Sequence, residues 1–166
     1  INFDARMTII AMHWDEDSSN LYLAGTNGWL KCFNLISKAH VAEFVAEWKL
    51  VFEIRSTEDW IVSLAHDPVS KTLYGIAKTT LYAWELGTGV FKFRLPDLHD
   101  KYKLCQVVVL PGSGFVATSG LDGTIKIWNV QISVCKLYSV VPSFSTGYLS
   151  FNVHERFIIT NGSDRV

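Results

Sequence analysis

Leu104-Cys-Gln-Val-Val-Val-Leu110, Pro111-Gly-Ser-Gly114, Phe115-Val-Ala-Thr-Ser119, Gly120-Leu-Asp-Gly123, Thr124-Ile-Lys-Ile-Trp-Asn129 is the stretch on which the fold turns. Three runs of five to seven residues, rich in β-branched and aromatic side chains, alternate with clusters of Gly, Pro, Ser and Asp. Runs this short are strands rather than helices, and the clusters between them are turns. A further run, Val134-Cys-Lys-Leu-Tyr138, supplies a fourth strand.

Working outward, the same rhythm recurs. An earlier copy reads Thr8-Ile-Ile-Ala-Met-His13, Leu21-Tyr-Leu-Ala-Gly25, Thr26-Asn-Gly28, Trp29-Leu-Lys-Cys-Phe-Asn34, with Val41-Ala-Glu-Phe-Val-Ala46 as its fourth strand. Another reads Trp60-Ile-Val-Ser-Leu-Ala-His66, Leu73-Tyr-Gly-Ile-Ala77, Leu81-Tyr-Ala-Trp-Glu85, followed by Val90-Phe-Lys-Phe-Arg94. A last one begins with Tyr148-Leu-Ser-Phe-Asn-Val153 and Phe157-Ile-Ile-Thr160. The aromatics closing the third strands, Phe33, Trp84 and Trp128, lie 51 and 44 residues apart. The second interval fits the roughly 40–45 residue period of a four-stranded propeller blade, and the first is a stretched version of it.

Composition sets the surroundings of this repeat. Of 166 residues, 49% are hydrophobic and 19% charged, which describes a globular chain. A net charge of −1 and scattered basic residues give no nucleic-acid footprint and no polybasic lipid-binding cluster. No apolar run approaches the roughly 20 residues of a membrane span. The three cysteines, Cys32, Cys105 and Cys135, are odd in number and fall within expected strands, so they read as reduced, buried thiols.

Around Asp122 in the stretch quoted first, His99 lies 23 residues before it, just ahead of that stretch, Thr118 precedes it by four, and Trp128 follows it by six. By these four residues the segment resembles a WD repeat. The resemblance implies a hydrogen-bonded tetrad of His99, Thr118, Asp122 and Trp128, and an all-β, WD-type propeller of about three and a half four-stranded blades in an incomplete ring. A carboxylate near the core needs its oxygens satisfied, and an imidazole N–H, a turn N–H and a hydroxyl can do that. The other copies depart from the pattern. The first has Asn27 at the Asp position and Phe33 for Trp, the second has Lys78 for Asp but keeps Trp84, and the fourth offers Thr160 and Asp164 with no suitable His. Trp128 is followed by Asn129 in place of the eponymous Asp.

The expected units are blade 1 at about 8–46, a connector at 47–59, blade 2 at about 60–95, blade 3 at about 99–139 and the start of blade 4 at about 148–166. The connector reads as an extended loop between blades, or as a partner-binding insertion. Left open, the outer blades would present apolar faces to water. With Ile1 in place of Met and a repeat cut before its aromatic, the chain is expected to be a piece of a longer protein that supplies the remaining blades, or to pair with another copy.

No motif for chemistry competes with this reading. Asp97-Leu98-His99-Asp100 could serve a triad, yet no Gly-x-Ser-x-Gly elbow is present. Pro111-Gly-Ser-Gly114 lacks the following Lys-Ser/Thr of a phosphate loop. His13 and His66 end first strands and read as strand-end or turn residues, while His40 and His154 read as solvated. Asn161-Gly162-Ser163 matches a glycosylation acceptor, a match expected by chance without secretory features. No catalytic residue, metal or cofactor is expected.

The resemblance implies a non-enzymatic scaffold for other proteins, in the cytoplasm, within a multiprotein assembly. Its usual docking face, formed by the loops between blades and the turns between second and third strands, would here include Trp60, Tyr102 and Leu121. The alternative for Trp60 and Tyr102 is packing between blades. Two other roles stay open at this point: a regulatory or substrate-recruiting propeller attached to a catalytic domain elsewhere in the parent chain, and a structural component of a ciliary axoneme. Nucleic acid, membrane and small-molecule substrates are not expected as partners.

Overall fold

The computed structural model describes residues 8–40, 43–55, 57–110, 113–130, 136–142, 150–154 and 157–161. The first sheet holds β1 (Ile9–Asp15), β2 (Asn20–Gly25), β3 (Trp29–His40) and β4 (Glu43–Arg55). The second holds β5 (Ile61–Asp67), β6 (Thr72–Ala77), β7 (Thr80–Glu85) and β8 (Phe91–Leu95). The third holds β9 (Leu104–Leu110), β10 (Phe115–Gly120), β11 (Thr124–Asn129) and β12 (Lys136–Pro142), and β13 (Ser150–His154) pairs with β14 (Phe157–Asn161). Every sheet is antiparallel, with strands in chain order. The first strands β1, β5, β9 and β13 pack on one another in succession, so the sheets stand radially like propeller blades around them, in a ring that does not close.

Two cores hold the blades together, each lying between sheets. Ala11, Tyr22, Leu30 and Cys32 of the first blade meet Ile61, Leu64, Leu73 and Trp84 of the second. Tyr74, Ile76 and Leu81 then meet Leu104, Val107, Val116 and Trp128 of the third. A middle strand such as β6 is covered on both faces, and all six of its residues are buried. The outer β8 is half exposed, so Phe91-Lys-Phe-Arg-Leu95 can tolerate charge. Gly75 in β6 makes room for the neighbouring indole: a Cβ there would lie 2.8 Å from Trp84 Cζ3.

The first blade corrects the sequence reading. Residues 47–59, expected as a connector, are strand as far as Arg55, and the blade does not end at 46. β3 and β4 pair from Trp29↔Arg55 to His40↔Glu43, with one register shift between Cys32 and Phe33. Physically, neither Asn34–His40 nor Glu43–Arg55 contains a Gly or Pro to stop a strand, so the pairing runs on past Phe33. The third blade likewise extends beyond 139 to Pro142. Cys135 and Asp164 lie outside the described residues, as do the side chains of His40, His154 and Thr160.

Candidate functional site

The segments preceding β5 and β9 lie at the same end of the sheets as the turns joining second to third strands. Backbone bonds tie them together: Leu98 N–H donates to Thr79 O at 3.3 Å, Leu104 N–H to Lys78 O at 2.6 Å, and Leu121 N–H to Lys103 O at 2.9 Å. This end of the molecule is therefore a loop surface with little freedom, built on a sheet scaffold.

In the third blade the structure brings His99, Thr118, Asp122 and Trp128 into one chain of hydrogen bonds. His99 Nδ1 lies 2.9 Å from Asp122 Oδ1 and Oδ2, and His99 Nε2 lies 2.9 Å from Thr118 Oγ1. Trp128 Nε1–H donates to the same Thr118 oxygen at 2.8 Å. One assignment satisfies every group: the indole donates to Thr118, the Thr118 hydroxyl to His99 Nε2, and His99 Nδ1–H to the carboxylate. That assignment needs a neutral imidazole, and burial does lower the His99 pKa, opposed by Asp122. For Asp122, burial pushes upward, but the bonds from His99 and Thr124 outweigh it and leave the carboxyl below its usual value. Gly120 is part of the arrangement, because a Cβ there would sit 2.5 Å from His99 Nδ1.

The second blade ties the corresponding pair of loops with different chemistry. Lys78, at the turn position that Asp122 fills one blade later, lies 2.7 Å from Asp59 in the loop before β5. That carboxylate holds the Lys78 ammonium above its usual pKa. Sequence comparison marked Lys78 only as a departure, because its partner belongs to no motif. Lys78 and Asn27 also adopt left-handed backbone, with φ of 51° and 60°. In the first blade Asn27 O accepts a bond from Arg55 Nε at 3.2 Å.

Trp60, Tyr102 and Leu121 all lie on this loop surface and are 58%, 43% and 41% exposed, so none is packed away between blades. Lys101 Nζ sits 5.8 Å from the Tyr102 ring centroid.

At the opposite end of the first two blades lies a cluster that sequence reasoning missed. His13 Nε2 is 2.5 Å from His66 Nδ1, and His66 Nε2 is 3.6 Å from the nearly fully buried Asp15. Ser18 Oγ also donates to Asp15. Each histidine read alone is only a strand-end residue, and β1 packing on β5 is what joins them across 53 positions. Burial, then His66, lower the His13 pKa to about 4, with Asp15 opposing. Among the described residues, no group of three or more His, Cys, Asp and Glu is placed to hold a metal ion.

Residues 95–129 match the family profile described as "WD domain, G-beta repeat". No curated protein matches the chain in sequence. Among solved structures, the fold is similar to U3-55K, with a TM-score of 0.68, 11% identity, and cover of 89% of this chain and 43% of that one. It is similar to the WD40 repeats of RRP9, with a TM-score of 0.64, 11% identity, and cover of 85% and 40%. It is also similar to the β-propeller domain of Myceliophteria thermophila Cps50 (Swd1), with a TM-score of 0.63, 18% identity, and cover of 74% and 40%. The chain thus spans 40% to 43% of the length of these propellers. It consists of blades of the WD-repeat β-propeller fold, with a WD repeat at residues 95–129.

Proposed function

We propose that the chain is a non-enzymatic interaction scaffold, and that a protein partner docks on the loop surface bearing Trp60, Tyr102 and Leu121. The observation that supports this reading most is the exposure of these three large side chains on loops already bound to one another. Large aromatic and aliphatic anchors dominate binding energy when a partner desolvates them. Loops that are ordered before binding lose little entropy on docking.

The test is capture of partners from a lysate of the source cell by the wild-type chain and by a Trp60→Ala, Tyr102→Ala, Leu121→Ala triple variant. The expected result is a partner retained by the wild type and lost by a triple variant whose circular dichroism is unchanged. Partners retained equally by both place docking elsewhere on the molecule.

A further inference from the structure

Two recesses adjoin on the loop surface and share Asp59 as a common wall. The outer one, about 610 Å³, lies between the ends of β4 and β8 and is lined by Arg55, Glu58, Tyr82 and Arg94 among others. The inner one, about 320 Å³, is lined by Trp60, Val62 and Leu104 together with Lys78 and Lys103. The outer recess is thus polar, with two arginines against Glu58 and the shared Asp59, while the inner one has an apolar floor and two lysines on its rim, so the excess of positive charge belongs to the pair of recesses taken together.

The charge balance selects a ligand. Arg55, Arg94, Lys78 and Lys103 face two carboxylates, Glu58 and Asp59, on a chain whose overall charge is −1. Asp59 is already occupied by Lys78 at 2.7 Å. Among the described residues, neither Arg94 nor Lys103 has a carboxylate partner. Arg55 is anchored through Nε to Asn27 O, which leaves its terminal nitrogens to meet an oxygen ligand in a fixed plane. Tyr82 is held rigid by stacking on Trp84, with ring centroids 5.9 Å apart and planes 9° from parallel.

We infer that the paired recesses bind an acidic peptide segment, with Asp or Glu side chains at Arg55, Arg94 and Lys103 and one aliphatic or aromatic side chain against Trp60, Val62 and Leu104. A nucleic acid fits less well, because Glu58 and Asp59 interrupt the cationic surface where a continuous phosphate backbone would run. The inference rests on the docking reading above and names the chemistry of the partner segment.

Fluorescence anisotropy with three labelled short peptides tests it: one with three Glu flanking Leu-Phe, one with Lys in place of each Glu, and one with Ser. A labelled oligouridine forms the fourth arm. The acidic peptide is expected to bind at least ~10-fold more tightly than the Ser peptide and to weaken as salt rises. Arg94→Glu with Lys103→Glu is expected to abolish that preference, Trp60→Ala to weaken all three peptides alike, and Lys136→Glu on the exposed outer strand to change nothing. Equal binding of acidic, neutral and basic peptides overturns the inference. So does failure of the acidic peptide to bind, tighter binding of oligouridine, or an acidic preference that survives the double reversal. Any of these with partner capture still dependent on Trp60, Tyr102 and Leu121 removes the acidic segment and leaves the docking surface. Loss of that dependence removes the docking surface itself.

Discussion

Trp84 and Trp128 occupy the same position in successive blades, yet only Trp128 has an acceptor for its indole N–H. Trp84 is completely buried, and its Nε1 has no hydrogen-bond partner. An unsatisfied buried donor costs roughly 1–3 kcal/mol. Trp84→Phe removes that cost and offsets the packing lost with the smaller ring, so stability is expected to change by less than about 1 kcal/mol. Trp128→Phe strands the Thr118 network and is expected to cost about 2–3 kcal/mol, although Trp128 is the less buried of the two. Urea denaturation of both variants checks the order, and an equal or reversed loss would show that packing alone decides.

Thr118 is the joint of the third blade, accepting from Trp128 and meeting His99. Thr118→Val keeps the shape but leaves the Trp128 indole N–H and His99 Nε2 without a partner, at an expected cost of about 2–4 kcal/mol. Gly120→Ala tests the same site from the other side, since the added methyl collides with His99. The expected result is loss of the slow-exchanging imidazole N–H signal of His99 by NMR together with a lower unfolding midpoint.

The two-histidine cluster makes stability depend on acidity. The His13 pKa lies near 4 in the folded chain, against 6.5 for an ordinary histidine, so between these limits the unfolded chain binds more protons. Stability is therefore expected to fall as pH drops from about 6.5 toward 4. His99, whose pKa is also lowered, contributes with the same sign. His13→Gln is expected to flatten the profile in this range, measured as the urea midpoint at successive pH values. An unchanged slope would assign the acid sensitivity to His99 alone.

Ile10, Met12 and Trp14 alternate along β1 and share its exposed face, opposite His13 and Asp15. Met12 is 69% exposed, in line with Trp14, which meets Trp48 edge to face at 6.3 Å. An apolar stripe of this kind promotes association. Met12→Glu with Ile10→Thr is expected to lower the sedimentation coefficient of the concentrated 166-residue chain toward that of a monomer. Identical sedimentation of variant and wild type would show that the stripe is not the contact.

Much of the architecture is legible locally, because a strand buried on both faces, such as Leu73-Tyr-Gly-Ile-Ala77, has to be apolar and short. The His99, Thr118, Asp122 and Trp128 set is legible for a different reason: its chemistry fixes four residue types at four spacings. The ribbon of β3 and β4 is not legible in the sequence because Phe33 looks like a strand terminus, and only the pairing of Leu35 with Trp48 shows that the strand continues. Asp59–Lys78 and His13–His66 could not be read at all. Each is a contact between elements that become neighbours only when the chain folds, and neither residue type is unusual where it stands.

The loop surface is laced at two points by knots of unlike material. The knot at Asp59 and Lys78 is ionic and open to water, so dissolved ions loosen it. The knot at His99 and Asp122 is sunk beneath the surface, where dissolved ions reach it poorly and a proton taken up at His99 Nε2 displaces the hydroxyl that Thr118 donates to it. Ionic strength therefore slackens the rim beside Trp60, and acidity slackens the rim beside Tyr102 and Leu121. One rigid face answers to two separate features of the surrounding solution.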